Sequence, residues 1–301
     1  MNNIKWMGVV ILILISSKTA LVAQTDLLNT LDSIAPIETQ YTFGTFKSTR
    51  VINGHSIERM PERQMDFRIS HRFGLIKQGY DQFFGLDQGN MAIALEYGIK
   101  DWVMVGLNRA STEKTVSGFA KFSMLRQSRG VKNMPVSLSY FVSTSVNGLP
   151  WTYPDRTNYF ASRITYVHQL LVARKFNEQF SMQISPTLIH RNLVPTALDN
   201  NDLLAIGLSG RYKLTRRVAF NVEYYPVIRP TWNYVDPQYT NCFSVGFDIE
   251  TGGHVFQLML TNSVGMIEKS FIADTTDSWL KGNLHLGFNI SRVFSFKKDT
   301  N

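Results

Sequence analysis

The stretch that decides the fold is the C-terminal one, LHLGFNISRVFSF, residues 284–296. One parity of this stretch carries large apolar side chains and is interrupted only by Arg292, whereas the other parity carries mostly small or polar ones. Successive side chains of a β-strand point to opposite faces, so the stretch predicts a strand with one apolar and one polar face. It is long enough to cross a bilayer at a tilt, and longer than the usual strand of a globular domain.

The same alternation recurs along most of the chain. Between Met91 and Ile99, for example, apolar residues alternate with Ala92, Ala94, Glu96 and Gly98. A soluble sandwich also alternates, but here the polar parity is rich in Ser, Gly, Asn and isolated charges, which suits the lumen of a membrane barrel. We predict strands near 65–74, 90–100, 102–110, 115–126, 135–145, 159–174, 180–191, 203–214, 218–227, 241–250, 254–263 and 282–296.

The predicted connections alternate between short turns and longer loops that carry Trp and Pro. This asymmetry is typical of outer-membrane barrels, in which the short turns face the periplasm. The sequence therefore predicts an all-β fold, a single antiparallel transmembrane β-barrel of about twelve strands. A further strand-like run, Tyr41–Ile52, makes the total odd, and it is interpreted as an inner strand, a plug or a periplasmic lead-in.

The N-terminus has the three parts of an export signal. Lys5 precedes an apolar run from Trp6 to Ile15, which is too short to span a bilayer comfortably. Small and polar residues follow, ending Leu21-Val22-Ala23. We expect cleavage after Ala23; a retained membrane anchor is the alternative. The predicted organisation is a signal peptide at 1–23, an N-terminal lead-in at 24–64, the β-barrel at 65–296 and a short tail at 297–301.

A set of charged residues lies on the polar parity of the predicted strands and should face the lumen. Acids and bases are both present, so the simpler interpretation is a paired network that fills a closed barrel. The other hypothesis is a polar passage with some preference for anions, because rings of charge set selectivity in pores. This lumen charge cluster comprises Asp66, Arg68, Arg72, Glu96, Lys121, Arg211, Glu223 and Asp248.

Aromatic residues occur where the predicted strands would leave the membrane. Aromatic rings favour the headgroup zone, where one end of the side chain is wet and the other apolar. The last strand also ends in an aromatic residue, which resembles the C-terminal signal that the barrel-assembly machinery reads in outer-membrane proteins. The predicted interface aromatics are Tyr97, Trp102, Phe294 and Phe296 at the turn end, and Tyr153 and Trp232 at the loop end.

Several stretches resemble a family of exported bacterial β-barrel proteins known only as a domain of unknown function. They include GTFKSTRVIN at 44–53, LEYGIKDW at 95–102, VARKF at 172–176, SPTLIHRN at 185–192 and GRYKLT at 210–215. The resemblance covers nearly all of the chain after the signal and implies an exported membrane barrel. It implies no catalytic residues.

The sequence leaves three classes of function. We expect an outer-membrane barrel that is surrounded by membrane lipid and acts as a pore or transporter for small polar solutes. The alternatives are a structural or binding barrel with a closed, charge-filled lumen, and a lipid-modifying enzyme. Only His55-Ser56 and His190-Arg191-Asn192 offer residue types for the enzyme, so we expect none. The six His residues stand singly and no cofactor motif is present, so we expect no cofactor. The net charge of +8 is scattered along the chain rather than clustered, so we expect no nucleic-acid binding.

Overall fold

A computed structural model describes residues 38–196, 199–229 and 238–296 of the chain. The predicted signal peptide, the tail at 297–301 and Trp232 lie outside these ranges. The described residues divide into a barrel unit, Tyr41–Ser128 with Met134 onward, and a small unit of residues 38–40 and 129–133. Within the small unit, the backbone N–H of Lys132 donates to Thr39 Oγ1 at 3.2 Å. The described ranges contain no helix long and apolar enough to cross a membrane.

The barrel unit contains twelve long strands, and each predicted strand has its counterpart among them. In chain order they are β1 Gln64–Leu75, β2 Gly89–Lys100, β3 Val103–Ala110, β4 Val116–Leu125, β5 Ser137–Val146, β6 Ile164–Lys175, β7 Phe180–Arg191, β8 Asp202–Lys213, β9 Val218–Tyr225, β10 Cys242–Thr251, β11 His254–Thr261 and β12 His285–Ser295. The described residues also contain three strands of two residues each, Gln40–Tyr41, Ser128–Arg129 and Val227–Ile228.

The twelve strands close on themselves as an antiparallel ring. Each strand pairs with its neighbour in the chain, and the last strand pairs with the first, with Ile290 opposite Ile69 and Phe294 opposite Met65. The C-terminal half of β8 pairs with β9, and Leu204 and Ala205 of β8 pair with the short strand Val227–Ile228. This short strand follows β9 in the chain after Pro226. Closure removes the open edges that an unpaired sheet would present, so the prediction of a closed antiparallel barrel is confirmed.

The two faces of the ring differ as the alternation predicts. On β2, Ile93 and Leu95 point outward and are 39% and 44% exposed, whereas Ala94 and Glu96 point inward and are buried. Charged side chains are thus covered while large apolar ones are not, the reverse of a soluble domain. A belt of exposed Leu, Ile, Val and Phe around the outer wall is the surface that lipid chains would cover.

The two ends of the ring also differ. At one end, here the short-turn end, most adjacent strands are joined by tight turns such as Asp101–Trp102 and Gly252–Gly253. Both β1 and β12 have their outer termini at this end. At the other, the long-loop end, connections such as 147–163 and 262–284 are long. This is the asymmetry that the sequence predicts.

Replacing Leu95 with Arg is expected to destabilise the barrel, because it places a charge on the lipid-facing wall. At the midplane of a bilayer such a charge costs about 2–4 kcal/mol of folding free energy. Leu280→Arg is the matched control, since Leu280 is fully exposed in a long loop. Urea unfolding of the protein refolded into vesicles measures both; equal stability of the two variants would contradict a lipid-facing outer wall.

Candidate functional site: the occupied lumen

The N-terminal segment enters the ring as a hairpin, and residues 44–60 are here called the plug. The plug begins and ends at the short-turn end, where Lys175 Nζ donates to Phe43 O (3.3 Å) and the Arg63 N–H donates to Gly98 O (2.9 Å). Its tip is a tight turn closed by a bond from Val51 N–H to Gly54 O at 2.9 Å. From the sequence, the segment Tyr41–Ile52 is interpreted as an inner strand, a plug or a periplasmic lead-in. Most of it lies inside the ring, and its backbone forms bends rather than a strand.

Glu223 on β9 holds the tip of the plug. Its carboxylate accepts hydrogen bonds from the backbone N–H groups of Ile52, Asn53 and Gly54, at 3.1–3.2 Å. A carboxylate that accepts several N–H bonds in a buried site makes strong, charge-assisted contacts. Glu223 itself is buried and forms no ion pair with another described residue. The negative charge of this wall residue is therefore compensated by the main chain of the plug.

Lys121 on β4 is the positive counterpart on the opposite side of the plug. Its Nζ donates to the carbonyl oxygens of Ser56 (3.0 Å) and Glu58. Lys121 is buried and forms no ion pair among the described residues. One acid and one base of the wall thus depend on the backbone of the plug rather than on each other.

A second group of charges forms a network on β1 and β2 that also reaches the plug. Arg68 bridges Asp66 and Glu96, with 3.1 Å from Arg68 Nη1 to Glu96 Oε1. Arg68 Nη2 also donates to Thr49 Oγ1 of the plug at 2.6 Å, and Thr49 in turn donates to Glu96. These wall charges are paired with each other and with the plug, which offsets the cost of burying them.

The remaining members of the lumen charge cluster lie farther along β1 and on β8 and β10. Arg72 donates to Asn53 Oδ1 at 2.9 Å. Asp248 accepts from Gln257 Nε2 at 2.8 Å, and the same amide donates to Val51 O at 2.9 Å. Arg211 is half-buried, with its Nε 4.0 Å from Asp248 Oδ2. All eight predicted residues therefore lie on the inner wall, most of them around the plug, and a role in permeation stays a prediction.

Apolar contacts add to the polar ones. Phe46, Val51, Ile52 and Ile57 of the plug are buried in one cluster with inward-facing wall residues. Four buried side chains of this size favour docking by several kcal/mol. The wall residues of this cluster are Phe141, Leu171, Ala173 and Met259, with Phe119 packed against it.

His55 of the plug is fully buried between two aromatic rings, Phe119 and Phe141, with centroid distances of 4.6 and 4.2 Å. Burial lowers the pKa of the His55 imidazole well below its usual value, and the Arg50 guanidinium lowers it further. Burial of His55 thus favours the neutral form of its imidazole. It does not pair with Ser56, whose hydroxyl donates to Ser48 O at 2.5 Å.

A second segment closes the lumen from the long-loop end, and it was not expected from the sequence. The connection between β11 and β12 folds inward through a π-helical turn, Lys269–Ala273, in which Phe271 and Ile272 are fully buried. The preceding residue, Glu268, forms a buried ion pair with Arg50 of the plug. The plug and this loop thus meet inside the ring. Beside them on β1 and β2 a cavity of only about 10 Å³ is left, room for at most one water.

The predicted interface aromatics at the short-turn end lie on the outer wall. Phe294, Met65 and Tyr97 stand opposite one another across β12, β1 and β2, and Trp102 is 59% exposed in the next turn. Phe296 is exposed just after β12. Tyr153 is exposed in the loop between β5 and β6 at the other end. Their contact with a headgroup zone stays a prediction.

The residue types considered for an enzyme are not assembled into a nucleophilic site in the described ranges. His190 Nδ1 bonds to Asp202 Oδ1 at 2.7 Å at the long-loop end, and no serine hydroxyl of the described chain bonds to His190. The same ranges contain no group of three His, Cys, Asp or Glu side chains that could hold a metal ion.

Gly54→Ala is expected to loosen the tip of the plug. A methyl group at this position would lie 2.1 Å from the Tyr225 hydroxyl, so the tip would have to shift, at a cost of about 1–3 kcal/mol. Gly210→Ala is the matched control because a Cβ there meets nothing within 4 Å. Trypsin cleavage after Arg50 in the folded protein reports the release; equal cleavage rates in the two variants would contradict this packing.

A model of a protein family, described as a membrane bound beta barrel domain (DUF5777), matches residues 46–294. The chain belongs to this family. The match begins inside the plug and ends in the last strand, so the plug and the ring are both part of the family's domain. Among curated proteins no sequence matches the chain.

Solved structures to which the chain is similar include an outer membrane channel and two porins. The COG4313 outer membrane channel from Pseudomonas putida F1 has a TM-score of 0.51 and 11% identity over 81% of this chain and 100% of its own. The NanC porin has a TM-score of 0.47 and 9% identity over 78% of this chain and 100% of its own. The KdgM porin has a TM-score of 0.46 and 8% identity over 78% of this chain and 99% of its own. At 11% identity, the likeness to the COG4313 channel shows the fold alone.

Proposed function

We propose that this membrane barrel is a gated channel for small polar solutes, closed in the present state by its own plug. The observation that carries the proposal is how the buried charges of Glu223 and Lys121 are hydrogen-bonded. Both are buried wall charges, and each is satisfied by main-chain groups of the plug rather than by a wall counter-ion. Burying unpaired charges is costly in a permanently filled core, and water can replace main-chain partners when the plug leaves.

The charges of the inner wall favour a weak preference for anions in the open state. The eight residues of the lumen charge cluster cancel, with four acids and four bases. Arg191, at the long-loop end of β7, is a further buried wall cation. A modest cation excess on the wall attracts anions, as rings of charge do in other pores.

Planar-bilayer recordings of the full-length protein test the proposal. Brief, discrete openings that interrupt long closed periods are expected, with a weak anion preference under a salt gradient. Cation preference would contradict the assignment of the wall charges. A protein that stays silent at all voltages, with and without its plug, would instead favour the alternative of a closed structural barrel.

The location is part of the same proposal. We infer that the chain is exported, loses residues 1–23 and resides in the bacterial outer membrane, where its last strand engages the barrel-assembly machinery. The outward apolar wall and the aromatics at the end of β12 support this location. Cell fractionation combined with heat-modifiability on a gel tests it: an outer-membrane band that migrates differently unheated is expected, and a soluble periplasmic protein would contradict it.

A further inference from the structure

At the long-loop end the lumen opens into a cavity of about 390 Å³, here called the vestibule. This volume lies at the lower end of the range for small-molecule sites, so a solute of a few heavy atoms would fill it. The wall of the vestibule is mixed, with Leu193, Val194, Pro195 and Tyr239 beside hydroxyl and charged groups. A mixed wall suits a molecule with an apolar body and one or two charged groups.

Among the described residues, the charges that line the vestibule are not balanced. Its two acids, Glu113 and Asp274, both bind Lys269, which lies 3.3 Å from Asp274 Oδ2. Lys269 is thus occupied by the two acids. The other cations are Arg163 and Arg191, and they give the lining an excess of positive charge.

Arg191 keeps hydrogen-bonding capacity although it is 4% exposed. Its Nη2 donates to Asn200 O at 2.7 Å, and its Nη1 is 3.8 Å from Asp274 Oδ1, a distance too long for a hydrogen bond. The buried Nε has no hydrogen-bond partner among the described residues. An unpartnered, buried guanidinium N–H is costly and marks a place where an acceptor is missing.

Arg163 is the other cation of the lining, and it forms no ion pair with a carboxylate in the described ranges. It donates to the carbonyl oxygens of Asn147 (2.8 Å) and Leu149, and its guanidinium lies 3.7 Å from the centroid of the Trp151 ring. Main-chain carbonyls and the ring fix the position of the guanidinium without neutralising its charge. Two fixed guanidinium groups on one cavity are a suitable receptor for a carboxylate, which they can bind through paired N–H donors.

We propose that the vestibule binds a small organic carboxylate between Arg163 and Arg191. The site deepens the proposed function because it names the class of solute that meets the channel first. Binding is measured independently of conductance. A protein that does not conduct but binds a carboxylate would contradict the proposed function and not this site. A protein that conducts but binds no carboxylate would contradict this site and not the proposed function.

Isothermal titration of the full-length protein in detergent at low ionic strength tests the site, with acetate, succinate and gluconate as carboxylate probes. Saturable binding of at least one of them is expected. Arg191→Gln and Arg163→Gln should each weaken it about tenfold or more. Arg156→Gln should leave it unchanged, because Arg156 is exposed, stacks on Tyr153 and does not line the vestibule.

Retained heat-modifiability shows that each variant is folded. Because the carboxylate is proposed to contact both arginines, both variants should weaken its binding. Uncharged succinamide and inorganic sulfate serve as the competing probes. The proposal is overturned by no saturable binding of any carboxylate, by equal binding of succinamide or sulfate, or by unchanged affinity in both folded arginine variants.

Discussion

Deletion of residues 44–60 is expected to convert a channel that is closed most of the time into one that conducts continuously. The plug fills the ring from the short-turn end to the level of Glu223, and beside it on β1 and β2 only about 10 Å³ is left. Its removal leaves an inner wall of charged and small polar side chains that water can hydrate. We expect the mean conductance to rise roughly tenfold or more, since a filled lumen is replaced by an aqueous one.

The deletion is informative only if the ring still forms. None of the twelve ring strands includes residues 44–60, and β1 begins at Gln64, so the strand ladder does not lose a member. Heat-modifiability of the variant on a gel is the control for folding. A folded variant with the low conductance of the full-length protein would show that the inward loop between β11 and β12 closes the lumen by itself.

Glu223→Gln is expected to raise the fraction of time that the channel is open by roughly a hundredfold, which corresponds to about 3 kcal/mol. The carboxylate accepts from three N–H groups of the plug, and both of its oxygens take part. An amide has one acceptor oxygen, and its NH2 group would face an N–H donor. Single-channel open probability measures the effect.

Glu250→Gln is the matched control for this substitution. Glu250 also faces the plug, through an ion pair of 2.5 Å with Lys47, but both side chains are partly exposed. Exposed ion pairs contribute little, so a change of less than about threefold is expected. Equal effects of the two substitutions would show that burial of Glu223 is not what makes it the stronger anchor.

The ring could be predicted from the sequence because its signal is local. A strand with unlike faces repeats every two residues, and the inward parity of Asp66, Glu96 and Glu223 follows from that repeat. One departure from the alternation also marks a residue that the plug contacts. Phe141 stands on the parity that otherwise carries serines in β5, and it is one of the residues that the plug covers.

The partners of the plug could not be predicted, because they are far apart in the chain and follow no period. The bond from Gly54 to Glu223 joins residues separated by 169 positions. The inward loop was missed for the same reason: Glu268 and Phe271 lie in a stretch without alternation, and only the folded ring brings them to Arg50 and Tyr225. The unbalanced arginines of the vestibule likewise come from two separate strand ends.

The measurement that tests the gate most directly uses the single native cysteine, Cys242, which is buried on β10. Asn53 of the plug lies beside it, with 3.8 Å between Asn53 Nδ2 and Cys242 Sγ. In the variant Asn53→Cys, oxidation should join the plug to the wall by a disulfide, because the side chain of residue 53 is directed at Cys242 Sγ. Loss of free thiol confirms that the bond has formed, and Asn53→Ser controls for loss of the amide.

In bilayer recordings, the oxidised Asn53→Cys channel should stay closed, and a reductant added to the same membrane should restore openings. The Asn53→Ser channel should open equally with and without reductant. A fully crosslinked channel that opens as often as its reduced form would contradict a plug that gates the lumen.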